Sequence, residues 1–166
     1  MLMEVASTQD QPEKEFIFST QLDHGSSYNL VNYKHWSLVR KLSKCYPYIE
    51  NAIDRSNCAD IFNANDTVKR IAKGSSDLWI MFDKDREIIA CVVIGFAHHD
   101  QSSGIIAEAM GGESFLCDYD VGMKMMEDYY RELGYDFFEI TGRKGWEKLM
   151  APRGYEFKSI KLRKAL

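Results

Sequence analysis

The chain has 166 residues, of which 45% are apolar and 28% charged, and its formal net charge is −4. This length suits one well-buried domain, and the negative balance argues against whole-surface attraction to nucleic acid or membranes. The charge is uneven, because residues 141–166 carry eight Lys/Arg against two Glu. This basic end predicts an anionic ligand, an acidic partner surface or self-association, or else a strand with solvated basic side chains.

The cysteines do not follow metal-site spacing, since no Cys-x-x-Cys or His-x₃-His pattern occurs among Cys45, Cys58, Cys91 and Cys117. We therefore expect no metal, and we interpret Cys91 as a small buried apolar residue. No apolar run approaches the length of about 18 residues that a membrane span needs, and no signal peptide is evident. Reduced thiols in a cytosol, or in a particle assembled there, are expected.

The first 30 residues are predicted to form a flexible arm, followed by a single domain over residues 31–166. Residues 1–15 are polar, contain Pro12 and show no periodicity, so only a partner would order them. Phe16 to Phe18 are predicted to form either a short strand or an apolar peg within that arm.

Helical spacing begins after Asn32 and predicts three short helices. The first contains Trp36, Val39 and Leu42 and ends before Pro47, and the second runs from Tyr48 to Ile53. The third is predicted to be capped by Asp66 and to end at Gly74.

Two apolar runs, 78–82 and 88–97, flank the charged residues 83–86 and predict an antiparallel hairpin. The second run is apolar at nearly every position, so we expect a central strand with both faces covered. The remaining pattern predicts a strand over 105–110, a helix over 118–133, a strand over 137–141, a short helix around Trp146 and a last strand over 155–162. This order predicts an α/β domain with a mixed, largely antiparallel sheet and helices on both faces.

The same element order resembles the GNAT acetyltransferase superfamily. A block over 137–157, FFEITGRKGWEKLMAPRGYEF, is similar to GNAT-like proteins of tailed bacteriophages. The matching residues are Gly142, Arg143, Gly145, Trp146, Gly154, Tyr155 and Glu156, and the whole resemblance covers residues 48–166. It implies a GNAT fold, acetyl-CoA as the acyl donor and N-acetyl transfer as the candidate activity.

The resemblance also implies a pyrophosphate-binding loop between the third strand and the following helix. Gly111, Gly112 and Ser114 are the candidate residues there, because glycines let a backbone approach phosphate oxygens. Their spacing departs from the superfamily pattern, and Glu113, Asp118 and Asp120 would repel a pyrophosphate. The expected cofactor is therefore either none or acetyl-CoA.

For the chemistry, Glu108 is the candidate base, because related enzymes supply a base from this strand. Tyr155 or Tyr129 is the candidate proton donor, although each is more often a packed aromatic side chain with its hydroxyl bonded. Arg143 is a candidate anion-binding residue. The sequence favours a structural interpretation of Arg143 and Trp146 over anion binding. In this interpretation residues 142–146 form a tight strand-to-helix turn, and Trp146 fills the core.

Other candidates have simpler interpretations. His98 and His99 are expected to be solvated, and Cys117 has no evident basic partner. Met123, Met125 and Met126 are expected to pack their helix against the core.

Two functions remain open from the sequence, and the loop composition favours the first. One is a phage-type virion or assembly component that has lost cofactor binding. It would be located in the host cytoplasm or the virion and would contact other proteins or a second copy of itself. The other is an active acetyl-CoA-dependent N-acyltransferase with an unidentified amine acceptor. Nucleic-acid binding through the basic C-terminal residues is a minor third possibility.

Overall fold

A computed structural model describes residues 16–21, 27–33, 38–56, 62–112, 119–141 and 145–158. Its elements follow in chain order: β1 (Phe16–Gln21), β2 (Ser27–Tyr33), α1 (Leu38–Asp54), α2 (Ala64–Ala72), β3 (Asp77–Phe82), β4 (Ile88–His98), β5 (Ser103–Gly112), α3 (Tyr119–Glu132), β6 (Phe137–Ile140), α4 (Gly145–Met150) and a 3₁₀ turn (Ala151–Arg153). Among the described residues, no helix is both long and apolar enough to cross a membrane.

The strands of the described residues form one sheet in the order β1-β2-β3-β4-β5-β6. Neighbours from β1 to β5 are antiparallel, whereas β5 and β6 are parallel. Because parallel strands need a crossover connection, α3 lies between β5 and β6 in the chain. The predicted hairpin and the mixed, largely antiparallel sheet are confirmed.

Each face of the sheet has its own apolar core, and the central strand β4 contributes alternate residues to both. Toward α3 and α4 the sheet buries Trp79, Met81, Val92, Ile94 and Ile105, with Met123 and Met126 of α3 against them. Toward α1 and α2 it buries Leu78, Ile80, Cys91, Val93 and Ala109, with Cys45, Ile49 and Ile71 against them. The predicted three-layer α/β architecture is therefore confirmed.

The helices before the hairpin differ from the prediction. A single helix, α1, replaces the first two, and it contains Pro47 rather than ending before it. The cap of α2 is Asn63 instead of Asp66: the Asn63 side chain accepts a hydrogen bond from the Asp66 backbone N–H at 2.8 Å and donates to the Asp66 carboxylate at 2.6 Å. Asp66 is thus the third residue of α2, and both its backbone N–H and its carboxylate bind the side chain of the N-cap residue Asn63.

Both ends of the chain also differ from the prediction. Strands β1 and β2 occupy part of the segment expected to be a flexible arm, and β2 pairs with β3. Residues 1–15 lie outside the described residues. At the other end, residues 155–158 have no regular secondary structure, so the strand predicted over 155–162 is absent from its described part. The bulge expected near Ser159 lies outside that part.

A buried polar chain joins the start of β3 to α3. The Trp79 indole N–H donates to the Tyr130 hydroxyl at 2.9 Å, and this hydroxyl donates to the Asp77 carboxylate at 2.8 Å. All three residues are at most 7% exposed. Burial, followed by the nearby Asp77 charge, raises the pKa of Tyr130 far above its ordinary value, so its hydroxyl stays protonated as a donor.

Replacing Tyr130 with Phe is expected to lower the free energy of unfolding by about 2 to 4 kcal/mol, because two buried hydrogen bonds are lost without a compensating partner. Urea denaturation followed by tryptophan fluorescence measures the change. Tyr135→Phe, at a half-buried ring in the same aromatic cluster, is the control and should cost far less. Equal losses in the two variants would contradict a special role for the polar chain.

Candidate functional site

Strand β5 contains a bulge at Glu108. Val93 of β4 lies opposite Ala109, and the next residue, Ile94, lies opposite Ala107, so Glu108 is an extra residue without a partner on β4. A bulge shifts the alternation of side chains. As a result Ala107 belongs to the core beneath α3, whereas Ala109 belongs to the core beneath α1 and α2. The bulge directs Glu108 toward α2.

Glu108 lies against Gly95 of β4, which has no side chain to obstruct it. A Cβ atom at Gly95 would overlap the Glu108 carboxylate. The Glu108 side chain is only 10% exposed. Gly95 is thus a position where the Glu108 carboxylate comes close to the backbone of β4, in the space that a side chain would otherwise fill.

Arg70 of α2 closes over this carboxylate. Its Nη1 donates to Glu108 Oε1 at 2.6 Å, and its Nη2 donates to the Thr67 hydroxyl at 3.3 Å. The guanidinium also lies 5.5 Å from the centre of the Phe62 ring. The second carboxylate oxygen, Oε2, is buried and accepts no hydrogen bond from the described residues. One oxygen of Glu108 is therefore paired and the other is not.

The parallel pairing of β5 and β6 ends beside Glu108. The two strands pair from Gly104 with Phe137 to Ala107 with Ile140, and the following backbone contact, Thr141 N–H to Ala107 O, is long at 3.5 Å. Strand β5 continues to Gly112, and in the described residues β6 does not follow it. Among the described residues, no strand therefore pairs with the β6-facing edge of β5 from the bulge onward, and backbone N–H and C=O groups on such an edge can pair with an extended ligand.

Gly111 and Gly112 lie inside β5, and close packing accounts for both. A Cβ at Gly111 would overlap the Tyr48 carbonyl oxygen of α1, and one at Gly112 would overlap Ala90 and the Ile89 carbonyl oxygen of β4. Both glycines are thus part of β5, and their role in cofactor binding stays a prediction. Ser114, the third candidate, lies outside the described residues, as do Glu113 and Asp118.

An ion pair marks the start of α3. Asp120, in the first turn, binds Arg153 through two contacts: Nε to Oδ1, and Nη2 to Oδ2 at 3.1 Å. Arg153 Nη1 also donates to the Leu149 carbonyl oxygen. The hydrogen bonds from Arg153 lower the pKa of Asp120 below its ordinary value. Asp120 was expected to repel a pyrophosphate, and Arg153 neutralises much of that charge.

The two proton-donor candidates lie on the α3 side of the sheet, opposite Glu108. The Tyr155 hydroxyl donates to Glu127 Oε1 at 2.6 Å, and its ring lies edge-on to Phe138 of β6. Tyr129 is buried in the core, and burial, with a smaller effect of Asp77, raises its pKa to about 12. The structure does not bring Glu108 and Tyr155 together on one face.

The remaining candidates are placed as follows. Trp146, on α4, is half-buried and packs against the core beneath α3, whereas Arg143 and Cys117 lie outside the described residues. His98 and His99 are exposed, and the His99 ring stacks on Phe137 at 5.7 Å. Met123 and Met126 are buried in the core, and Met125 packs against it. In the part of the chain that the structure describes, no group of three metal-ligating side chains occurs.

Sequence reasoning missed Arg70, Gly95 and Arg153. The first two lie 38 and 13 positions from Glu108, and Arg153 lies 33 positions from Asp120, so no local spacing connects them. The available signal for Gly95 was a glycine inside a long apolar strand, which often marks a close backbone approach.

No protein-family model matches this sequence, and no curated protein does. Solved structures do match the fold. An aminoglycoside acetyltransferase from an uncultured soil metagenomic sample has a TM-score of 0.61 at 9% identity, over 84% of this chain and 96% of that one. A GCN5-related N-acetyltransferase from Ralstonia eutropha has a TM-score of 0.59 at 14% identity, over 84% and 98%.

A third similar structure is a predicted acetyltransferase with acetyl-CoA from Clostridium acetobutylicum. Its TM-score is 0.57 at 12% identity, and the match covers 83% of this chain and 96% of that one. The fold of this chain is therefore that of the GNAT-superfamily acetyltransferases, and it spans nearly the whole length of these structures.

Gly111→Ala is expected to lower the free energy of unfolding by about 1 to 3 kcal/mol, because the new methyl group meets the backbone of α1 rather than a movable side chain. Chemical denaturation without any ligand measures this loss. Gly145→Ala is the control, since a Cβ there meets nothing within 4 Å. An unchanged stability for Gly111→Ala would contradict a packing role and would favour cofactor binding as the reason for this glycine.

Gly95→Ala is expected to displace the Glu108 carboxylate and break its ion pair with Arg70, at a cost of about 1 to 3 kcal/mol in the free energy of unfolding. The clash involves the end of one side chain, so Glu108→Ala in the same chain should remove it. The double variant should therefore be no less stable than Glu108→Ala alone. Additive losses in this double-mutant cycle would show that Gly95 and Glu108 are not in contact.

Proposed function

We propose that this chain is an acetyl-CoA-dependent N-acetyltransferase that acts on an amine, with Glu108 as its base. The observation that supports this proposal is the unpaired oxygen of the Glu108 carboxylate at the β5 bulge. Leaving a buried polar atom without a partner costs about 1 to 3 kcal/mol. An ammonium group of an acceptor would supply the missing N–H donor, and the same contact would transfer its proton.

The open edge of β5 fits the acyl donor. The pantetheine arm of acetyl-CoA carries two amide groups, which can pair with free backbone groups of a strand as an added strand does. The edge begins at Glu108, so a donor bound there would lie next to the proposed base. Arg153, beside the start of α3, is the described cation best placed to offset the acidic charge near a pyrophosphate.

Glu108 would accept a proton from the acceptor's ammonium group, and the resulting amine nitrogen would attack the acyl carbonyl carbon. Acetyl-CoA supplies the activated acyl group and a thiolate leaving group. Tyr155 is the proposed proton donor to this thiolate. Glu108 acts on the acceptor nitrogen and Tyr155 on the thiolate sulfur, so the two residues need not lie on the same face of the sheet. A ligand between the diverging ends of β5 and β6 would have access to both faces.

A second candidate is the virion or assembly component that the phage-like block of residues 137–157 implies. Two observations favour it: Arg70 covers Glu108, and Asp120 places a negative charge in the first turn of α3. Its partners would be phage virion proteins or a second copy of this chain. We rank it second because no described residue supports a virion role, whereas the unpaired Glu108 oxygen supplies a candidate base for the first function.

The test is release of coenzyme A thiol from acetyl-CoA in the presence of a panel of amines. Acceptor-dependent release is expected for the unchanged protein. Glu108→Gln should lower kcat/KM by about 10² to 10⁴, the usual contribution of a positioned base, while its affinity for acetyl-CoA stays unchanged.

Glu139→Gln is the matched control, because it makes the same chemical change at an exposed position of β6 and should leave turnover intact. Equal turnover in Glu108→Gln and the unchanged protein would contradict the role of Glu108. Absence of both transfer and acetyl-CoA binding would favour the assembly candidate instead.

A further inference from the structure

Arg70 and Glu108 together restrict which amines can reach the proposed base. Arg70 is 33% exposed at its side chain, whereas Glu108 is 10% exposed, so the arginine is the outer member of the pair. Its position is fixed from two sides, by the buried Thr67 and by the Phe62 ring. Any acceptor that approaches Glu108 from the α2 side meets a guanidinium first.

A simple amine is poorly suited to this arrangement. It arrives as an ammonium ion, and two unit charges of the same sign about 4 Å apart repel by about 4 kcal/mol at an effective dielectric constant of 20. Repulsion from Arg70 therefore offsets the attraction of a simple ammonium ion to the Glu108 carboxylate. Moving Arg70 away from Glu108 does not solve the problem, because the guanidinium would then lose the carboxylate to which it is directly hydrogen-bonded.

An acceptor that also carries a carboxylate removes this conflict. Its carboxylate can pair with Arg70, whose planar group binds carboxylates through two parallel N–H bonds, while its ammonium donates to the unpaired Oε2 of Glu108. Two of the five N–H groups of Arg70 donate to described side chains, which leaves donors for the incoming anion. The acceptor brings one charge of each sign, so Arg70 and Glu108 each keep an opposite charge beside them.

We propose that Arg70 is a specificity-determining residue that selects amines bearing a carboxylate, and that binding of this carboxylate releases Glu108 to act as a base. This inference rests on the proposed function, because it names the acceptor class of the same site. On acceptor binding, Arg70 pairs with the acceptor carboxylate and Glu108 Oε2 with the acceptor ammonium, and the proton then moves from the acceptor nitrogen to Glu108.

The experiment compares matched acceptors: ω-amino acids of increasing length, each against the alkylamine that lacks its carboxylate, such as 4-aminobutyrate against butylamine. With acetyl-CoA present, kcat/KM should be at least about tenfold higher for the best amino acid than for its alkylamine. Arg70→Gln should abolish this preference, and Arg70→Lys should keep part of it, because the charge remains while the two-bond geometry is lost.

Lys69→Gln is the control. Lys69 is the neighbouring cation on α2, is exposed and pairs with Asp66, so its loss should leave the preference unchanged. Equal loss of preference in Lys69→Gln and Arg70→Gln would overturn the proposal, because general positive charge on α2 would then explain the selectivity.

Calorimetric titration of 4-aminobutyrate and butylamine, without acetyl-CoA, separates this inference from the proposed function. Transfer to amines without a carboxylate preference would overturn the inference and leave the function standing. Arg70-dependent binding of 4-aminobutyrate without transfer would support the anion site and contradict the transferase. Neither transfer nor binding of any ω-amino acid would overturn both.

Discussion

The ion pair between Arg70 and Glu108 connects the fold of this protein to its proposed chemistry. It joins α2 to the sheet at the β5 bulge, over the space left by Gly95. A nearly buried ion pair adds little net stability, because the lost hydration of both charges offsets their attraction. Here one carboxylate oxygen is also left without a described partner. A well-packed apolar pair would serve stability better, which favours a functional reason for the charges.

The bulge gives this pair its position. In a regular strand Ala107 and Ala109 would lie on the same face of β5, whereas the bulge at Glu108 places them in the two different cores. The divergence of β5 and β6 begins at the same place, so one stretch of strand supplies both a carboxylate and an open backbone edge. The β5 bulge therefore lies where a ligand could enter, whereas β2 and β3 pair without a register shift and β3 and β4 shift register only at Met81/Phe82.

Much of the fold could be predicted from the sequence. The apolar stretch 88–97 predicts a strand that is covered on both faces, and strand β4 confirms this prediction. Helix α1 was predicted as two helices because Pro47 removes a backbone donor, yet burial of Cys45, Ile49 and Ile53 against the sheet outweighs that cost. Of the two interpretations of Phe16 to Phe18, the short strand is confirmed, because these residues begin β1. Strand β2 was missed because its backbone pairing with β3 is a long-range effect that local sequence does not reveal.

The candidate site was less accessible to prediction. Glu108 was selected through resemblance to a family, and its role stays a prediction. Arg70 could not be selected, since its contact with Glu108 depends on the bulge, on the packing of α2 and on the absence of a side chain at Gly95. The glycines at 111 and 112 suggested a phosphate loop, but glycine is also required wherever two backbones come close, and here packing explains both.

The most direct test of the account is calorimetric titration of the full chain with acetyl-CoA. The account predicts saturable binding with a micromolar dissociation constant, retained in Glu108→Gln, because the open edge of β5 rather than the carboxylate would hold the donor. Absence of binding up to millimolar acetyl-CoA would contradict it, and would leave a GNAT fold whose role must be sought among its protein partners.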